Sequence, residues 1–201
     1  MQHNHQAGGE GRLQRDFFAR DSLKVAPELL NKVIVFGNCR GRIVEVEAYK
    51  GFDDPGSHGY RGMTPRTEVM FGPAGRLYVY FTYGMHWCAN VVCGDDGECS
   101  AVLLRAATPL AGLNDMRKRR PAARRDRDLC SGPAKFTSAF GIDGANNSAD
   151  LATAETGIEL LDDGTPPPAD PGCSTRIGLS AGTELPWRWY VRGCDDLSRR
   201  G

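Results

Sequence analysis

Apolar and polar residues alternate along much of this chain, and the alternation is clearest in two places. In RIVEVEAY (42–49), Val44, Val46 and Ala48 fall on one side of a strand, with Ile43, Glu45, Glu47 and Tyr49 on the other. The pattern predicts a strand over 41–49, joined at Gly37-Asn38 to another over 32–36. RLYVYFTYGMHWCANVV (76–92) is the strongest strand signal: aromatic and β-branched residues fill two arms, with Gly84 at the joint of a hairpin. SAVLLRA (100–106) predicts a further strand, and RIGLS and WRWYVRG predict two more near the end. Helical spacing is rarer. Phe17, Phe18, Leu23, Val25, Leu29 and Leu30 suggest a short helix, a turn around Pro27 and a second helical turn. Leu110, Leu113 and Met116 predict a helix over 108–119. Ser131-Gly132-Pro133 opens another, with Ser131 as cap and Pro133 in the first turn, ending at Gly141. GFDDPGSHGYRGMTPRT (51–67) and DDGTPPPADPG (162–172) read as loops. No repeat is visible and the order is not regularly βαβ. The expectation is a single α+β domain over 13–201, a curved, mainly antiparallel sheet with surrounding helices, behind a polar, disordered tail over 1–12 whose His3 and His5 face solvent.

The chain has 201 residues, enough to bury a core without staples. Its 25 basic and 25 acidic residues balance, but they are not evenly spread. Residues 117–127 hold seven Lys/Arg against Asp126 alone, and 143–170 hold seven acids with no Lys or Arg. The basic run is either a solvated surface or the edge on which an anionic polymer is gripped. Seven cysteines without a CxxC pair, no opening signal segment and no membrane-length apolar run predict a reducing, cytoplasmic setting. Cys88, Cys93 and Cys99 lie near His86, but spacings of four and five intervening residues do not match a structural zinc site. Buried small hydrophobes are the better reading, and no metal is expected.

Glu45 and Glu47 would stand about 6.6 Å apart along one strand face. Such a pair suits an inverting carbohydrate glycosidase; the plainer alternative is one solvent-facing acid and one ion pair. His58, in a glycine-flanked loop, can fold back over the strand end or lie on the surface. In the hairpin, Tyr78 and Tyr80 project to one side and Phe81 and Tyr83 to the other, with Tyr83-Gly84-Met85 at the tip. An aromatic core with one exposed ring explains this, and so does a ring that wedges between stacked bases.

Taken in order, EVEAYKGFDDPGSHG, MFGPAGRLYVYFTYGMHWCANVV, AVLLRAATPL and LCSGPAKF resemble the alkyladenine (3-methylpurine) DNA glycosylase family, over about Asp16 to Gly193. The resemblance implies a single mixed α/β domain with a protruding β-hairpin. It also implies a monofunctional enzyme that flips a damaged purine from double-stranded DNA and hydrolyses its N-glycosidic bond. In those terms Glu47 is the general base for the attacking water, and Arg105 helps hold that water near the backbone carbonyl around Ile177. Tyr49, His58 and Tyr80 wall the base pocket, and Asn90 filters out guanine by its exocyclic amino group. Tyr83 is the intercalating wedge, assisted by Met70. Phosphates meet the 117–127 run, the Ser131-Gly132 backbone and Lys135. Glu45 becomes a salt-bridged neighbour of the base. Base extrusion costs a few kcal/mol, which stacking at ~1–3 kcal/mol per base can offset, and aromatic faces attract a cationic alkylpurine. No metal or organic cofactor, membrane or obligate protein partner is implied. His86-Trp87 and the CGDDGEC connection depart from the family pattern. A damage-binding module that does not cut, and a carbohydrate glycosidase using Glu45 and Glu47, remain the alternatives.

Overall fold

In the computed structural model, which describes residues 11–153 and 155–199, the strands are β1 (Gly11–Arg12), β2 (Val33–Phe36), β3 (Cys39–Lys50), β4 (Leu77–Thr82), β5 (His86–Cys93), β6 (Ser100–Ala111), β7 (Ile158–Asp162), β8 (Gly172–Ser174) and β9 (Arg188–Tyr190). The helices are α1 (Arg15–Phe18), α2 (Ser22–Leu29), α3 (Leu113–Arg119) and α4 (Pro133–Phe140). Every pairing is antiparallel, in the order β1-β7-β2-β3-β6-β5-β4, giving the curled sheet of an α+β fold. β3 and β6, twelve residues each, form its axis.

The pairing of β3 with β6 is offset around Val44 and Arg105: Ile43 faces Ala107, Glu45 faces Ala106 and Val46 faces Leu104. Val44 and Arg105 are therefore the extra residues of two opposed bulges. A bulge displaces the alternation by one residue, and β3 changes neighbour here, from β2 along 39–42 to β9 along 45–47. The offset corrects the sequence expectation for Ile43. It packs in the main core with Val46 and Ala48 instead of sharing a face with Glu45 and Glu47.

That main core lies on one face of the sheet, where Val46, Val102, Leu104, Ala89, Val91, Leu77 and Val79 meet Val25 and Leu29 of α2 and Phe136 and Phe140 of α4. The opposite face carries a second apolar cluster of Met70, Phe71, Tyr78, Val92, Cys99 and Ala101. Alternation in β4, in β5 and in β6 up to its bulge at Arg105 produces this division. Across the second face run the paired residues Glu47, Leu103, Asn90 and Tyr78, one from each of four adjacent strands.

Several boundaries differ from expectation. β6 extends to Ala111 because Thr108, Pro109 and Ala111 continue the register against Arg42, Gly41 and Arg40; the helix expected over 108–119 occupies only Leu113–Arg119. Leu110, which suggested helical spacing, is 44% exposed. α2 runs through Pro27 where a turn was expected. Proline there forfeits a single ladder bond, while Val25, Ala26 and Leu29 bury the helix and Asp21 caps it by accepting from the Leu23 N–H. Ser131 does not cap α4: Gly132 precedes the helix, and Ser131 Oγ instead accepts from Lys135 Nζ at 3.4 Å. RIGLS is a loop, because its N–H and side-chain donors are used on the site below. Gly11 and Arg12, assigned by sequence to the tail, pair with β7, and Arg12 grips Glu159. The remainder of the expected tail, with His3 and His5, lies outside the described residues.

Candidate active site

The loop after β3 is drawn back over the second sheet face by close backbone contact. A Cβ on Gly59 would stand 1.7 Å from Cys99 Sγ, so only glycine lets the 57–59 segment lie against the start of β6. This carries His58 to Tyr78 and Tyr80: its Nδ1 is 3.1 Å from the Tyr78 hydroxyl, and its ring meets Tyr80 edge-on at 4.5 Å. Tyr78 and Tyr80 stack at 5.4 Å. At the far end of β4 the Met85 N–H donates to Thr82 O, and both residues between, Tyr83 and Gly84, have positive φ. This is the signature of a type I′ hairpin turn.

These elements enclose a cavity of about 320 Å³, lined among others by Tyr49, His58, Tyr80, Asn90, Tyr83 and Arg105. The expected pocket residues are thus brought together. Tyr83 also reaches this cavity, although strand parity places it with Phe81, because the positive φ at Tyr83 ends the alternation. Its ring is 80% exposed at the tip, whereas Phe81 packs against Trp87. Met70, expected to assist Tyr83, lines the same cavity as Tyr83. It is 3% exposed and forms part of the cavity wall, held by the 3-10 turn Glu68–Phe71. Asn90 Nδ2 donates to the Tyr78 carbonyl at 3.3 Å.

Glu47 lies behind this wall, fully buried. Its Oε1 accepts from the Ile177 N–H at 2.7 Å; its Oε2 accepts from the Tyr49 hydroxyl at 2.9 Å and stands 3.0 Å from Arg105 Nη1. Sequence reasoning expected a carbonyl near Ile177 to matter; the contact made here is by the amide. Burial, then the Glu47 charge, holds the Tyr49 phenol far above its ordinary value, so it remains a donor. Tyr80 is likewise pushed up by burial. Burial and the Arg66 cation lower His58, leaving it neutral at pH 7.

Glu45 is a hub. Oε1 accepts from Arg105 Nε at 2.8 Å, Arg188 Nε at 2.8 Å and Ser198 Oγ at 2.7 Å, and Oε2 accepts from the Ser198 N–H at 2.6 Å. Burial alone would raise its carboxyl, but Arg105, Ser198 and Arg188 outweigh it and hold it below its ordinary value. Burial works against the Arg105 cation too, and Glu47 and Glu45 more than restore it. Glu45 is the ion-paired neighbour that the sequence suggested. Its partners Arg188 and Ser198 were missed, since nothing local in the sequence links positions 143 and 153 residues away.

Pro133 lines both this cavity and a neighbouring basic groove of about 540 Å³ that includes His86, Arg119, Arg120, Gly132 and Lys135. Much of the 117–127 run is paired with acids in or outside it: Arg117 with Asp126, Lys118 with Asp115, Arg125 with Asp128 and Arg127 with Asp195. Arg120 Nε is buried with no partner among the described residues. Cys88, Cys93 and Cys99 are buried, and no group of three His, Cys, Asp or Glu among the described residues could hold a metal ion. No described helix is long and apolar enough to cross a membrane.

A buried carboxylate with three donors thus stands behind an aromatic cavity beside a basic groove. The profile of the methylpurine-DNA glycosylase (MPG) family matches residues 16–195. This chain belongs to that family. Its members are hydrolases of N-glycosyl bonds. Among its relatives is a Burkholderia lata protein named "Putative 3-methyladenine DNA glycosylase", 58% identical over 182 residues, covering 90% of this chain and 88% of its own. Proteins bearing the same name from Rhodopseudomonas palustris and Streptomyces avermitilis are 49% and 48% identical, with 90% and 89% of this chain and 86% and 87% of their own covered.

Proposed function

We propose that this methylpurine-DNA glycosylase family member flips alkylated purines, and neutral damaged purines such as hypoxanthine or ethenoadenine, out of duplex DNA and hydrolyses the N-glycosidic bond. Glu47 is the general base. The observation that carries the reading is the convergence of Tyr49, Ile177 and Arg105 on one carboxylate directly behind an aromatic-walled cavity. An ionised carboxylate offers about four acceptor positions. Among the described residues Oε1 receives only the Ile177 N–H, so one lone pair is left to orient and deprotonate a water. Tyr49, Arg105 and Ile177, the three residues that seal Glu47, also line the cavity, and in this reading a small displacement of any of them on nucleotide entry opens that lone pair to it.

In this reading the extruded base packs against Tyr49, His58 and Tyr80, and Asn90 excludes purines with an exocyclic amino group at its position. Neutral His58 is suited to hydrogen bonding with the departing base. Tyr83 fills the gap left in the stack, and Met70 contributes to the pocket wall. Gly132, Lys135 and the basic groove, together with Ser131, receive phosphates flanking the lesion. No protein partner or cofactor enters the scheme, and the protein works wherever the cell keeps its DNA.

The sealed state of Glu47 favours one competing reading, a module that recognises damage without cutting. Incubation with alkylated, hypoxanthine- and ethenoadenine-containing duplexes, followed by chromatography of released bases, separates the two. Free methylated purine is the expected product; intact glycosidic bonds in every duplex would leave only the binding reading.

A further inference from the structure

We propose that Arg176, clamped by Asp54, is a positioning residue for base release: it fastens the loop that carries His58 to the loop that carries Ile177, and so fixes the donors around Glu47. This role rests on the reading of Glu47 as the base. The Arg176 side chain has no exposed surface, and it contacts β3 and the loop after it, which carry Glu47, Tyr49 and Asp54, and the Gly182 end of its own loop. Nη1 and Nη2 each donate to one oxygen of Asp54, Nη1 also to the Ala48 carbonyl at 3.0 Å, and Nη2 to the Gly182 carbonyl at 3.2 Å. Ala48 separates Glu47 from Tyr49 on β3, so the same cation is tied to the strand that bears the acid. The guanidinium lies 4.7 Å from the Tyr49 ring centre and 5.1 Å from that of Trp187.

Asp54 completes the clamp from the other side. Its Oδ2 accepts from the Lys50 N–H at 3.2 Å and its Oδ1 from the Gly56 N–H at 2.9 Å, which shapes the turn leading to His58. A Cβ on Gly56 would come within 2.9 Å of Arg176 Nη2, so this loop lies directly against the cation. The residue after Arg176 is Ile177, whose N–H reaches Glu47. Gly56 and Leu179, one from each loop, face each other as lining of the same cavity as Tyr49.

Stability alone is a poor explanation for this arrangement. A buried ion pair is often no better than packed hydrophobes of the same volume, and Arg176 Nε is buried without a hydrogen-bond partner among the described residues. The geometry also requires arginine in particular, with two forked bonds to Asp54 and a flat face between two rings; lysine supplies a point charge only.

The test compares Arg176→Lys and Asp54→Asn with the wild-type protein, at a temperature where circular dichroism shows each variant folded. Three quantities are read: the single-turnover rate of base release, the affinity for a duplex carrying an abasic-site analogue, and hydrogen exchange of the 176–182 segment. Small misplacement of catalytic groups can cost on the order of 100-fold in rate. Both variants are therefore expected to release base about 10- to 100-fold more slowly while binding within about 3-fold of wild type, with faster exchange in 176–182. A folded Arg176→Lys protein with a rate within about 3-fold of wild type overturns the proposal, as does a loss of binding in proportion to the loss of rate. If wild-type protein releases no base, the reading of Glu47 fails first and this role with it; the exchange measurement still reports whether the two loops are coupled.

Discussion

Replacing Glu45 with glutamine tests the polar hub beside the proposed base most severely. The substitution preserves shape but removes the charge shared by Arg105 and Arg188, which are 5% and 2% exposed. It also places an amide N–H₂ where only donors converge: Ser198 N–H on one side, and Arg105, Arg188 and the Ser198 hydroxyl on the other. Neither amide orientation satisfies both sides. Removing one partner of a buried ion pair costs about 3–5 kcal/mol, a large part of a total stability of about 5–15 kcal/mol. With a urea slope near ~2 kcal/mol/M, the unfolding midpoint should fall by roughly 1.5–2.5 M. Adding Arg188→Met to Glu45→Gln should recover part of the loss, with a coupling of about 0.5–3 kcal/mol, because the second substitution removes an uncompensated cation. Urea titrations followed by circular dichroism measure the wild type, Glu45→Gln, Arg188→Met and the double variant. A midpoint within about 0.5 M of wild type at unchanged slope would refute the hub. Where it is folded, Glu45→Gln should still release base, more slowly because Arg105 has lost an anchor; a paired-carboxylate sugar hydrolase predicts no activity.

The remaining predictions concern the wedge and the pocket histidine. Tyr83→Ala removes an 80% exposed ring and should leave stability within about 0.5 kcal/mol of wild type. Its affinity for lesion-containing duplex should fall by the equivalent of ~1–3 kcal/mol of stacking, read by fluorescence anisotropy; unchanged affinity contradicts the wedge. Burial and Arg66 place His58 below its ordinary value of 6.5 in the folded protein. The unfolded chain then binds the proton more readily, so stability falls as pH drops below 6.5. Urea midpoints at successive pH values from neutral downward should show this decline in wild type and a shallower one in His58→Gln; identical slopes contradict it. Glu45, also depressed in the folded state, contributes stability that is lost as pH falls below its ordinary 4.5.

The hairpin, the axis strands and α4 were legible in the sequence because local chemistry specifies them: aromatic alternation on both sides of Gly84, and proline and glycine at the two ends of α4. The motifs singled out Tyr49, His58, Tyr80 and Asn90 for a pocket and Arg105 for the water beside it, and all five line one cavity. What the sequence could not reveal depended on distant pairing. The bulge that turns Ile43 away from Glu45 arises where β3 exchanges β2 for β9, a partner some 145 residues away. Helical spacing misled at Leu110, where pairing with β3 prolongs β6. RIGLS has strand composition, but Arg176 and the Ile177 N–H are used on Asp54 and Glu47. Met70 belonged to a pocket wall because a one-turn helix buries it beside Tyr78, which spacing alone does not disclose.

The central claim is that Glu47 performs the chemistry while other groups hold the base. Glu47→Gln keeps the size of the side chain and can still accept from the Ile177 N–H, while Arg105 keeps its bond to Glu45; the lost Arg105–Glu47 pair lowers stability, so the variant is assayed at a temperature where circular dichroism shows it folded. Purified Glu47→Gln protein should therefore bind a duplex containing an abasic-site analogue with wild-type affinity and release no measurable methylated purine from alkylated DNA in single-turnover assays. Base release at the wild-type rate by that variant would contradict the assignment of Glu47.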